Sequence, residues 1–115
     1  MASKTLPDLT RVEMAILATL VVQERYGLDI VRTLKDKGQP ISLAGLYTTL
    51  MRLERDGLVT SRWGDEKPST TRQGARRRYY SITGLGERAL RRTKEVVMRV
   101  LHAVPNVARA SAVPS

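Results

Sequence analysis

Apolar residues recur along the first half of the chain at helical spacing. Over residues 11–24 Val12, Ile16 and Leu20 line one side, while Met14, Leu17, Ala18 and Val21 fill much of the other. A helix apolar nearly all round is normally buried on more than one side. Thr10 with Glu13 three positions later supplies a capping-box start. Tyr26-Gly27 breaks this helix, and residues 28–37 predict a second with Leu28, Val31 and Leu34 inward. Gly38 ends it and Pro40 prevents its resumption.

A third helix follows, with Ser42 as its N-cap and Gly57 where a left-handed stop belongs. Leu43, Leu46, Leu50 and Leu53 form its inward stripe. Residues 59–64, with Trp63 as the large side chain anchoring it, and 76–82 read as two strands. Between them 65–75 holds Pro68 and Gly74 and reads as a loop. Of Tyr79 and Tyr80, only one can face the core. Thr83 caps a last helix that runs to about Val104, where Pro105 ends it. The expected fold is mainly α (α+β), a winged helix-turn-helix of three helices and a two-stranded wing, extended by a C-terminal helix. Residues 1–83 form the winged unit in this reading, 84–105 a dimerisation helix and 106–115 a flexible tail.

Composition adds a partner class. The 115 residues carry 20 Lys plus Arg against 11 Asp plus Glu, a net charge of +9. Such an excess favours a polyanion, most often nucleic acid, with an anionic membrane second. The absence of cysteine removes disulfides, thiolate metal sites and cysteine nucleophiles together. The longest apolar run, residues 14–22, is far too short to span a bilayer, and the opening MASKTLPDLTR has no apolar secretion core. A cytoplasmic location is the expectation. His102 is the single histidine and falls on a polar helix face, and the acids lie scattered, so neither catalysis nor a metal or cofactor is expected.

Charge placement sharpens that reading. With the leucine stripe inward, Ala44, Gly45, Thr48, Arg52 and Arg55 of the third helix face out, flanked by Tyr47 and Met51. Small residues allow close approach to a major groove, and the arginines reach phosphate or a guanine edge. Thr48 and Thr49 suit phosphate or a thymine methyl. The free amides beside Ser42 can hold a phosphate while its hydroxyl caps the helix. In the hairpin Arg62, Lys67, Arg72, Arg76, Arg77 and Arg78 outweigh Asp65 and Glu66, as suits a wing gripping the backbone. Alternation puts Arg76 and Arg78 on one face and Arg77 on the other.

In the last helix Leu85, Ala89, Leu90, Val96, Val97, Val100, Leu101 and Val104 span a broad arc. That is more apolar surface than packing on one small domain needs. With the first helix it predicts a homodimer interface including Leu17, Val21, Leu90, Val97, Val100, Leu101 and Val104. Two reading helices would then meet a pseudo-palindromic operator in double-stranded DNA.

The segments ILATLVVQERYGLDIVRTL, ISLAGLYTTLMRLERDGLV and RRRYYSITGLGERAL closely resemble the PadR-like transcriptional regulators over about residues 9–92. The resemblance implies that the third helix reads DNA, that Tyr47 is the family's characteristic tyrosine, and that the first and last helices build a dimer. Where many relatives carry proline after that tyrosine, this chain has Thr48. The reading is a sequence-specific regulator, most naturally a repressor. A winged-helix protein-interaction module and a sequence-neutral nucleic-acid binder are the alternatives. The sequence identifies no small-molecule effector; one would have to use the dimer interface or the surroundings of the wing. Tryptophan is missing from the last helix, so the tryptophan-lined interface pocket of some relatives is not expected.

Overall fold

The computed structural model describes residues 6–65 and 76–105. The elements run α1 (Arg11–Val22), β1 (Arg25–Tyr26), α2 (Gly27–Asp36), α3 (Leu43–Arg55), β2 (Val59–Trp63), β3 (Arg78–Ile82) and α4 (Gly84–His102). The expected tail, and the part of the wing loop holding Lys67 and Arg72, lie outside the described residues.

Local chemistry sets most of the boundaries. Thr10 and Glu13 close a full capping box on α1, and Ser42 and Thr83 each accept an amide hydrogen from the third residue of their helices. Gly38 and Gly57 follow α2 and α3 with φ of 86° and 80°, the left-handed conformation that ends a helix and favours glycine. At the second of these the Leu58 amide bonds back to the Leu53 carbonyl at 2.9 Å, so the chain leaves α3 directly into β2.

The sheet is antiparallel with order β1-β3-β2. Its third strand is an addition to the expected two-stranded wing. Arg25, and Tyr26 that the sequence reading placed in a helix break, pair with Tyr80 and Tyr79. Arg25 secures this corner: its Nε donates to the Thr19 carbonyl at 3.0 Å and its Nη1 to Asp29 at 3.2 Å. α1 ends at Val22, two residues earlier than expected, and the backbone is already extended at Gln23 ahead of that pairing.

Ile16, Leu17 and Leu20 of α1, Ile30 and Leu34 of α2, and Leu46, Leu50 and Leu53 of α3 meet Leu58, Val59, Tyr80 and Ala89 in one core. Three expectations need correction here. Leu17 is fully buried in this core and has no surface to offer a second chain. Leu28 and Leu43 are 41% and 43% exposed rather than inward. Both sit in the first turn of a helix, where the Cα–Cβ bond tilts back toward the N-terminus and carries the side chain past the packed face.

The last helix divides into two halves. Gly86, Ala89 and Thr93 are buried beside the core, whereas residues 94–105 are all exposed. Val97, Val100 and Leu101 lie on this projecting half, and Val104 lies just past its end at His102, two residues short of the expected one. No helix among the described residues is long and apolar enough to cross a membrane.

Candidate nucleic-acid interface

On α3 the Ser42 hydroxyl accepts the Gly45 amide at 3.0 Å, which fixes the start of the helix. Thr48 and Thr49 donate their hydroxyl hydrogens to the Ala44 and Gly45 carbonyls, each at 3.0 Å. Their hydroxyls therefore retain lone pairs but no free hydrogen, and exposed Thr48 offers its methyl group. Ala44, Thr48, Met51, Arg52 and Arg55 are exposed, while Gly45 and Thr49 are half-buried. Thr48, Met51, Arg52 and Arg55 line a shallow depression of about 490 Å³.

The two arginines of this face differ in their surroundings. Arg55 bonds the neighbouring Asp56 at 3.1 Å in the open, a solvent-screened pair that holds it weakly. Arg52 is drawn back to Glu13 of α1, donating from Nη2 at 2.9 Å and from Nε at 3.3 Å. Burial alone would push the Glu13 carboxyl up. The Thr10 amide and the Arg52 guanidinium outweigh it and hold the carboxyl below its ordinary value.

Tyr47 is 40% exposed and packs against the start of α2. A Cβ added at Gly27 would lie 2.7 Å from Tyr47 Cζ, so the ring occupies the space that this glycine leaves. Tyr47 also borders a cavity of about 550 Å³ between α3 and the wing, together with Tyr26, Trp63 and Tyr80. The chain has four tyrosines, one tryptophan and no phenylalanine; all of these except Tyr79 line that cavity. Leu28, Met51, Glu54, Arg76, Arg77 and Arg78 complete it.

The wing arginines are partly engaged with the body of the fold. Arg78 lies 5.1 Å over the Trp63 ring, donates to Ser61 Oγ at 3.0 Å and has Glu54 of α3 at 3.8 Å. It braces the wing against α3 rather than pointing outward. Trp63, at 55% exposure, anchors less of the wing than its size suggests. Arg77 sits 4.6 Å over the Tyr26 ring and borders the same cavity as Arg78 rather than an opposite face, and Arg76 is exposed. Arg62 grips Glu24 with bonds of 2.8 and 2.7 Å and stacks 5.0 Å over Tyr79. The bond from Arg62 holds the Glu24 carboxyl below its ordinary value. Tyr80 is the tyrosine that turns inward, where burial raises its pKa; Tyr79 meets Tyr26 edge-on at 5.7 Å.

Sequence reasoning missed the acidic partners Glu13, Glu24 and Glu54. Only Glu13 carried a local signal, as the third residue of the capping box. Away from this face, Arg11, Met14, Ala15, Ala18, Val21, Leu90 and Lys94 line an apolar groove of about 530 Å³ between α1 and α4. His102 is exposed. No group of three or more His, Asp or Glu side chains placed to hold a metal ion occurs among the described residues.

Comparison with known proteins adds the lineage. A padr family transcriptional regulator from Eggerthella lenta superposes with a TM-score of 0.70 at 30% identity, over 84% of this chain and 80% of that one. A transcriptional regulator from Clostridium thermocellum gives 0.69 at 26% identity, over 84% and 91%. Bacillus subtilis PadR, solved in complex with operator DNA, gives 0.61 at 25% identity, over 71% of this chain and 46% of that one. An uncharacterized Lysinibacillus sphaericus protein is 31% identical over 75 residues, 63% of this chain; the match spans 64% of that relative's length. The family model described as the transcriptional regulator PadR-like family matches residues 16–92. With the fold and these relatives in agreement, the chain belongs to the PadR-like family of transcriptional regulators.

Proposed function

We propose that the protein binds double-stranded operator DNA as a homodimer and represses transcription from the cytoplasm. The observation that carries this is continuity. Met51 borders both the depression on the outer face of α3 and the cavity under the wing, so reader and wing form one surface. Thr48, Arg52 and Arg55 supply contacts suited to a major groove, with Ala44 and Gly45 permitting close approach. Arg76 and Arg77 suit the adjacent backbone, as do Lys67 and Arg72 from the sequence. The Bacillus subtilis neighbour with operator DNA supports the same use of the fold.

The dimer is supported by the projecting half of α4. Val97 at 37%, Val100 at 57% and Leu101 at 42% exposure on α4, with Val104 at 45% just past its end, present an apolar stripe for a partner. Val21 and Leu90 along the α1–α4 groove extend that stripe toward the body. A two-fold pair sets two reading helices about one DNA turn, or a multiple, apart. Repression then follows from overlap with a promoter, and an effector would act by changing the spacing of the two readers.

A salt titration against a duplex selected from a random pool and a scrambled duplex tests the reading. The regulator prefers the selected duplex by ~10³-fold or more. Equal weak binding to both would support a sequence-neutral binder, and no binding to either an interaction module.

A further inference from the structure

Glu13 belongs to α1, yet its carboxylate reaches the outer face of the reading helix. Oε1 accepts the Thr10 amide at 2.9 Å, the reciprocal half of the capping box. Oε2 accepts both Nη2 and Nε of Arg52, 39 residues later in the chain. Glu13 is only 8% exposed. The acceptor is therefore fixed on one side by its own helix and shielded from water on the other. Arg52, with 44% of its side chain exposed, reaches from that fixed point out to the surface shared by Thr48, Met51 and Arg55.

This arrangement has two consequences. The first concerns geometry. An arginine has five N–H donors in a planar fork, and Glu13 takes one from Nε and one from Nη2. The Nη1 amino group and the outer Nη2 hydrogen remain, side by side on the far edge. Two coplanar donors at that spacing match the N7 and O6 acceptors of one guanine. The rotamers that a free arginine must give up on binding are already restricted by the bond to Glu13.

The second consequence concerns charge. A phosphate approaching Arg52 meets a carboxylate within 2.9 Å of the guanidinium, which offsets its attraction. A neutral base edge meets no such repulsion. Arg55 provides the contrast, because its exposed partner Asp56 leaves it open to phosphate.

We infer that Glu13 is a specificity-determining positioning residue, orienting Arg52 toward a base edge and withholding it from the phosphate backbone. The inference rests on the proposal that α3 enters the major groove.

Glu13→Gln tests it, since glutamine still accepts the Thr10 amide but removes the charge. Binding is measured by anisotropy on the selected and scrambled duplexes across a salt series, with thermal melting alongside. Glu13→Gln tightens binding to the scrambled duplex and steepens its salt slope by ~0.9 per protomer, one added phosphate contact. The preference for the selected duplex falls roughly five- to a hundredfold per half-site, the discrimination of one bidentate arginine–guanine contact in each protomer. Arg52→Lys keeps the charge but loses the fork, so the preference falls while the slope stays. It also carries the test if Glu13→Gln does not fold.

A purely structural Glu13 predicts parallel weakening on both duplexes with a lower melting temperature; that result overturns the inference, as does an unchanged preference in either variant. A wild-type protein with no preference sinks the DNA-reading proposal itself, and the role of Glu13 with it.

Discussion

Replacing Val97 by glutamate separates the stability of the protomer from that of the dimer. Val97 is 37% exposed and lies on the half of α4 that leaves the body of the fold, so the protomer loses little. A surface substitution of this kind changes folding stability by less than about 0.5 kcal/mol. In the dimer the same position is expected to be covered. Burying the exposed third of a valine contributes roughly 0.5–1 kcal/mol, taken from about 1.5–3 kcal/mol for a whole side chain. Taking a carboxylate out of water costs several kcal/mol more if no cation meets it. Two-fold symmetry counts every term twice.

Even a total of ~3 kcal/mol raises the dimer dissociation constant more than a hundredfold. Sedimentation at micromolar concentration then gives the mass of a single chain, with the helical circular dichroism retained. An unchanged dimer would refute the use of α4 as the interface. A chain that unfolds instead would refute the claim that this half of α4 is dispensable to the protomer.

Other consequences follow from single contacts. Gly27→Ala pushes Tyr47 off the start of α2; because the ring sits at the end of a flexible side chain, stability changes by less than about 1 kcal/mol. DNA affinity falls as the displaced ring enters the reading face, and urea unfolding beside anisotropy separates the two effects. Arg25→Ala strips the Thr19 carbonyl and Asp29 of their donor and lowers stability by about 1–3 kcal/mol. Its signature in hydrogen exchange is early opening of the β1 corner. The lowered pKa of Glu13 makes its contribution present above its ordinary value of 4.5 and lost as pH falls through the depressed folded value. Urea midpoints at a fixed protomer concentration therefore drop below about pH 4.5, and the drop is shallower in Glu13→Gln.

Much of this fold was legible because its signals are local. Thr10, Ser42 and Thr83 act through amides three residues away, and Gly38 and Gly57 through their own φ. Leu46, Leu50 and Leu53 are spaced by the helix itself. What stayed hidden depends on residues brought together from afar. A two-residue strand has no periodicity, and β1 exists only because β3 returns beside it. Arg62 pairs with Glu24 38 residues away, and Arg52 with Glu13 39 residues away.

The helical wheel correctly turned Arg52 outward yet could not register that a buried carboxylate from α1 meets it there. It also placed Leu17 with Val21 on a face for the partner, although the core claims Leu17 completely. Arg78 was legible as basic, but its stacking on Trp63 depends on the register of β2 against β3.

The central claim is that two copies of this chain read two copies of one DNA sequence. Hydroxyl-radical footprinting on duplexes selected from a random pool tests it directly. The account predicts a discrete inverted repeat, with protected half-sites about 10 base pairs or a multiple apart. Uniform protection without a repeat, or a pool that never enriches a sequence, would contradict it.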